Sequence, residues 1–135
     1  DIYAREALGT ARAHTMARAG TLSRHGIAFA LHSDYTMAPA QPLNSVWVAV
    51  NRKNVAGDIV GPEERISVEQ ALRAITSDAA YVLGLEHEVG TLQPGKRADF
   101  TVLEQDPFEV PPEDLRDIKI WGTVFGGTPA PLKDN

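Results

Sequence analysis

Hydrophobic residues recur with helical spacing in three parts of the chain. Apolar positions return every three or four residues over 10–25 and again over 43–52. The longest apolar stripe runs over 67–83, where Ser67 followed three residues later by Gln70 forms a capping box. A glycine directly follows the first and the third stretch, as is common after a helix. The pattern therefore predicts three helices with about these bounds.

Between the first two predicted helices the pattern is different. Residues 27–31 are apolar without interruption, and His32, Ser33 and Asp34 after them are polar. An apolar run of this length is typical of a parallel strand that is buried on both faces. We therefore predict a strand over 27–33. Polar residues at its carboxyl end lie where parallel α/β proteins build their sites.

Over the remainder of the chain the hydrophobic period falls from 3.6 to two. Proline and glycine occupy the centre of a predicted type II turn at 93–96, and strands are predicted at 98–103 and 118–125. The last segment contains two prolines, which cannot donate to a β ladder, so we expect it at a sheet edge. The predicted fold class is α/β over residues 1–84 with an α+β tail over 85–135.

Composition narrows the function classes. The 135 residues carry 13 Lys+Arg, 18 Asp+Glu and a net charge of −5, without a basic run, which argues against nucleic acid or an anionic membrane surface as a partner. No apolar stretch approaches the ~20 residues of a membrane span, so we predict a cytoplasmic protein. The absence of cysteine leaves His, carboxylate or backbone oxygen as metal ligands. The length excludes a complete (β/α)₈ barrel, which needs ~200 residues or more.

The order and spacing of several motifs resemble one family. They are similar to the C-terminal part of the metal-dependent amidohydrolase superfamily, in its YtcJ-like branch, amidohydrolase family 3, which includes N-substituted formamide deformylase. The motifs are Ala30–Asp34, Ser67–Leu72, Gly90–Leu103, Leu115–Ile118 and Thr123–Gly127.

The resemblance implies an architecture. Residues 27–33 would be the eighth strand of a (β/α)₈ TIM barrel, within a terminal barrel portion over 1–84. Residues 85–135 would form the C-terminal part of the flanking β-sandwich. The chain begins at Asp1 rather than methionine, which fits the expectation of a C-terminal fragment. Its partner would then be the remainder of the parent chain.

The resemblance also implies a chemistry. The parent enzyme would hydrolyse a non-peptide carbon–nitrogen bond of a small amide-like substrate with water activated by a divalent metal, which we expect to be zinc. Asp34 would be a metal ligand or the proton acceptor for that water. A carboxylate beside the water can take its proton and pass it to the leaving nitrogen. One carboxylate and one histidine are too few for a catalytic zinc, which needs about three protein ligands. We therefore expect the chain alone to bind no metal and to be inactive.

Each candidate residue also has a structural interpretation. Asp34 can simply end a strand and cap the following turn. His32 would project to the same face as Asp34, because strand side chains alternate. It either contacts substrate or metal directly, or is a hydrogen-bonded histidine of the core or one that supports the site from behind. Tyr35 and Thr36 follow the strand end, where loops contact substrate, but a loop packed on itself is an equal alternative.

A second hypothesis is a free-standing, non-catalytic α+β binding or assembly module. An orphaned barrel strand would leave two open edges, and self-association of the chain would cover them. The length of the source gene and the metal content of the protein separate the two hypotheses.

Overall fold

The computed structural model describes residues 6–132, which form five short helices and one small sheet. The helices are α1 (Thr10–His14), α2 (Ala19–Arg24), α3 (Pro42–Asn51), α4 (Val68–Arg73) and α5 (Ser77–Val82), and the 3₁₀ helices are Pro62–Glu64 and Pro112–Asp117. The strands are β1 (Phe100–Leu103), β2 (Ile120–Phe125) and β3 (Thr128–Pro131). None of the helices in this range is long and apolar enough to cross a membrane.

Helix α3 is the centre of the hydrophobic core. It forms where the periodicity predicts it and packs against α4 and the second 3₁₀ helix. Val46 and Leu115 are both fully buried in the same cluster. Trp47 is also buried, and its indole Nε1 donates to the Glu113 carbonyl at 2.7 Å. The core therefore joins residues from both sides of the boundary predicted at residue 84.

The three strands form one antiparallel sheet in the order β1-β2-β3. Phe100 lies opposite Val124, and Val124 lies opposite Pro129. The register shifts between Val102 and Leu103, because their partners in β2 are Gly122 and Ile120 and Trp121 is the extra residue between them. The proline-bearing strand β3 lies at the sheet edge as predicted, because proline cannot donate to a second neighbour.

The helix predicted over 10–25 is two helices in the structure. Ala17 lies in the break between α1 and α2. Its backbone is left-handed, with φ 51°, and cannot continue a regular helix. The carbonyls of His14, Met16 and Ala17 accept hydrogen bonds from the Arg52 guanidinium. A distant side chain has therefore replaced the partners that a continuous helix would have supplied.

The helix predicted over 67–83 begins as expected but does not continue unbroken. Ser67 Oγ accepts from the Gln70 amide at 3.1 Å and Gln70 Oε1 accepts from the Ser67 amide at 2.9 Å, which confirms the capping box. Helix α4 ends at Arg73, and the next carbonyl, that of Ala74, accepts from the Leu31 amide at 2.9 Å instead of from the amide four residues further on.

Within residues 6–132, the segment 27–33 has no paired neighbour and is not a regular strand, so the strand predicted there stays a prediction for the parent protein. A strand requires a paired neighbour, and these residues instead bond to helical segments: the Ile27 amide donates to the Leu22 carbonyl at 3.0 Å. Phe29 and Leu31 pack on the core, but Ile27 is 53% exposed. The segment is therefore covered on one side only, rather than on both as its apolar run predicted.

Candidate functional site

The segment 27–33 brings the candidate site residues to one edge of the helical layer. Its apolar side chains at Phe29 and Leu31 rest on the core, and the hydrogen bond from Leu31 to Ala74 fixes it beside the end of α4. His32, the next residue, is exposed. The polar end of the segment is thus presented to solvent by an anchored apolar stretch.

A tight turn begins at Asp34. Its backbone is left-handed with φ 50°, so the alternation expected of a strand stops at Ser33. The Asp34 amide donates to His32 Nδ1 at 3.1 Å, and the Asp34 carbonyl accepts from the Met37 amide at 2.6 Å. The structure therefore joins His32 and Asp34 through the backbone of Asp34 and leaves the Asp34 carboxylate exposed.

Tyr35 and Thr36 follow in the turn and are both exposed, with Tyr35 74% exposed. A neighbouring cavity of about 410 Å³ is lined by residues of the preceding segment, including Ile27 and Phe29, together with residues of α4. Neither His32, Asp34 nor the two turn residues line this cavity. The four candidate residues thus share a turn rather than an enclosed pocket.

The described residues do not by themselves fit a metal centre. Within 6–132, no group of three or more His, Asp or Glu side chains is arranged to hold an ion. The Asp34 carboxylate is one available oxygen ligand, and the Nδ1 lone pair of His32 is already engaged by a backbone amide. A catalytic zinc needs about three protein ligands, so this part of the chain falls short of the number.

A buried polar network, which the sequence pattern did not predict, joins the regions of α1, α2, α3 and the first 3₁₀ helix. Arg52, at the end of α3, is only 9% exposed and donates to four backbone carbonyls: Val60 at 2.9 Å, Ala17 and Met16 at 3.0 Å, and His14 at 3.4 Å. Burial lowers the pKa of its guanidinium, and the nearby carboxylates Glu64 and Glu63 act in the opposite direction.

Glu64 is the acidic member of this network. Its side chain is 4% exposed, and its carboxylate accepts from both the hydroxyl and the backbone amide of Thr21 in α2. Arg24 and Arg18 lie 3.7 Å and 3.9 Å from it. The two bonds from Thr21, the hydroxyl first, lower the pKa of Glu64, and the arginines add to this against the effect of desolvation.

Little in the local sequence indicates that Arg52 and Glu64 are buried. Arg52 directly follows an apolar helix and Glu64 lies in a Gly/Pro/acid segment, both typical of exposed positions. Gly61 is the residue of this segment whose type could have indicated close packing. Its φ is 61°, and the His14 carbonyl leaves no room for a side chain there. Together these residues hold α2, which leads directly into segment 27–33.

The fold has a counterpart among solved structures. An amidohydrolase from Thermotoga maritima MSB8 superposes with a TM-score of 0.59 over 82% of this chain and 25% of that chain, at 21% sequence identity. The described residues therefore share part of the amidohydrolase fold, as a small α/β piece with a three-stranded sheet.

Sequence comparison identifies the family. The model of the amidohydrolase family, Amidohydro_3, matches residues 1–130, so the chain belongs to this family. N-substituted formamide deformylase of Arthrobacter pascens is 32% identical over 76% of this chain and 19% of its own length. The Bacillus subtilis protein YtcJ, an amidohydrolase by its name, is 34% identical over 89% of this chain and 23% of its own length. The chain spans about a fifth of the length of these relatives.

The comparisons confirm the family that the motifs predicted. Its members are hydrolases that generally use a divalent metal and act on small molecules. Protein LONG AFTER FAR-RED 3 of Arabidopsis thaliana is 38% identical over 73% of this chain and 17% of its own length.

Proposed function

We propose that this chain is the C-terminal part of an enzyme that hydrolyses a non-peptide carbon–nitrogen bond, with Asp34 as the proton-accepting carboxylate. The family match over residues 1–130 supports the reaction class. The position of Asp34 supports the role assigned to it. The residue is exposed, and it lies in a left-handed turn at the end of a segment that is anchored to the core. Non-glycine residues in that conformation cluster at functional sites.

In this proposal residues 27–33 belong to the last strand of a TIM barrel and residues 85–135 to the flanking β-sandwich. The missing strand pairing of 27–33 and its one-sided burial fit a segment whose neighbours lie outside the described residues. Segment 27–33 then brings Asp34 to the carboxyl end of the barrel, where such enzymes build their sites.

The proposed step for Asp34 is a proton transfer. Attack of water on the carbonyl-type carbon forms a carbon–oxygen bond, and the Asp34 carboxylate accepts the proton that the water loses. Return of this proton to the nitrogen allows the carbon–nitrogen bond to break and the amine to leave. Tyr35 and Thr36, in the same exposed turn, are proposed to contact the substrate.

We do not propose a metal site formed by the described residues alone. Because the described residues supply too few ligands, zinc binding remains a prediction for a site completed by other residues, in which Asp34 could be one ligand. Inactivity of the isolated chain, cytoplasmic location and the absence of nucleic-acid and membrane partners also remain predictions.

The test is hydrolysis of an N-substituted formamide, the substrate class in the name of one relative, by the natural protein at its full length. Asp34→Asn removes the proton acceptor and keeps the shape, so release of amine should fall by about 10²-fold or more. Asp117→Asn, an exposed acid in the second 3₁₀ helix, is the matched control and should keep its activity. Full activity of Asp34→Asn would contradict the proposal, and activity of the 135-residue chain alone would contradict its predicted inactivity.

A further inference from the structure

The position of Asp34 depends on a hydrogen bond from its own backbone. The Asp34 amide donates to His32 Nδ1 at 3.1 Å, two residues earlier in the chain, and the Asp34 carbonyl closes the turn with Met37. Aspartate adopts the left-handed backbone more readily than most residues other than glycine, and these two hydrogen bonds stabilise the turn that Asp34 begins.

This bond has the geometry of an Asx turn. In such turns an Asn or Asp side-chain oxygen accepts from the backbone amide two residues further on. Nδ1 of histidine and Oδ1 of asparagine are both bonded to Cγ, so His32 offers its acceptor at the corresponding place in the side chain. The imidazole here does what an asparagine would do.

The hydrogen bond from the Asp34 amide limits the other interactions that the His32 ring can make. Nδ1 must present its lone pair to the Asp34 amide, so in the neutral ring the proton is on Nε2. A ring with this tautomer has no second lone pair for a metal. Of the two roles open to His32, contact with the reacting groups or support of the site, the geometry favours support.

We infer that His32 is a positioning residue. By accepting a hydrogen bond from the Asp34 amide it holds the turn, and the turn determines where the Asp34 carboxylate lies. The inference rests on the proposed role of Asp34. Loss of the acceptor should let the turn sample other conformations, and the carboxylate would then be in place for only part of the time.

The experiment compares His32→Leu with His32→Asn in the natural full-length protein. Leucine lacks an acceptor, and kcat should fall about tenfold with little change in KM, the rate effect of one lost hydrogen bond. Asparagine restores the acceptor and should retain kcat to within about threefold. His87→Leu, with a side chain 92% exposed, is the control and should match the natural enzyme.

A spectroscopic readout separates this inference from the proposed function. The ¹⁵N shifts of the His32 ring should show an unprotonated Nδ1 and a protonated Nε2. A protonated Nδ1, equal losses in His32→Leu and His32→Asn, or no loss in either would overturn the inference. If Asp34→Asn were fully active, the proposed function would fail, and the ring shifts would still show whether His32 holds the turn.

Discussion

At the scale of single residues, Glu64 makes the stability of the protein depend on pH. Its hydrogen bonds with Thr21 lower the pKa of the folded carboxylate below that of the unfolded chain, so its contribution is present above the unfolded value of about 4.3 and is lost as pH falls through the folded pKa. We expect the melting temperature to drop at acidic pH.

Two variants test this assignment. Thr21→Val removes the hydroxyl, so the pKa of Glu64 should rise toward its ordinary value, and the acid loss of stability should become smaller and be complete at a higher pH. Glu64→Gln should lower the melting temperature at neutral pH and make its acid dependence shallower. Glu69→Gln, an exposed glutamate on α4, serves as the control. An unchanged pH profile in Glu64→Gln would show that the carboxylate does not contribute as described.

At the scale of elements, α2 lies so close to the first 3₁₀ helix that a glycine is required. A Cβ on Gly20 would lie 2.7 Å from both the Glu63 carbonyl oxygen and Glu64 Cα. Gly20→Ala in a helix would ordinarily gain about 1 kcal/mol. Here we expect a net destabilisation of about 1–2 kcal/mol, because the two backbones must separate.

Chemical denaturation measures this difference. Ser45→Ala, in the middle of α3, is the comparison and should change stability by no more than about 0.5 kcal/mol. A Gly20→Ala protein more stable than the natural one would show that α2 and the 3₁₀ helix are not in close contact.

Elements were predictable where the local pattern decides the structure. The stripe around Val46 and Trp47 was sufficient for α3, and the Ser67 cap was sufficient for the start of α4. The breaks in the other two helices were not predictable, and at both breaks a backbone carbonyl accepts from a residue distant in sequence, Arg52 or Leu31. Periodicity cannot show a carbonyl that has a partner elsewhere.

Some features of the candidate site were predictable from the sequence, and others were not. Polarity at the end of an apolar run pointed to His32 and Asp34, and the structure joins them by a hydrogen bond. The left-handed turn at Asp34 was missed, since strand alternation was extended one residue too far. Glu64 was missed because its burial comes from packing between segments rather than from its own neighbours.

At the scale of the whole molecule, one core links the two predicted parts of the chain. Leu115 lies in the second part but is fully buried with residues of α3. Leu115→Ala should cost about 2–5 kcal/mol and lower a single unfolding transition seen by both tryptophan fluorescence and far-UV circular dichroism. Leu92→Ala, at a side chain 71% exposed, should have little effect. Two separate transitions would contradict the shared core.

The surface of the molecule also predicts self-association of this chain. Several apolar side chains are more than half exposed, namely Tyr81, Val82, Leu83, Leu92 and Phe125. Exposed apolar area of this kind favours contact between copies. Light scattering should show a mass that rises with concentration, and Leu83→Lys should reduce the rise more than Val55→Lys on the loop after α3. A constant monomer mass would refute the prediction.

The guanidinium of Arg52 has a consequence for how this sequence can vary. Among residues 6–132 its hydrogen-bond acceptors are all backbone carbonyls, and every amino acid carries one. The side chains at positions 14, 16 and 60 can therefore change during evolution without loss of these hydrogen bonds. Arg52 itself cannot be exchanged for lysine, because an ammonium group lacks the planar set of donors that a guanidinium has. Related chains should keep this one residue and tolerate wide variation in the loop residues it holds.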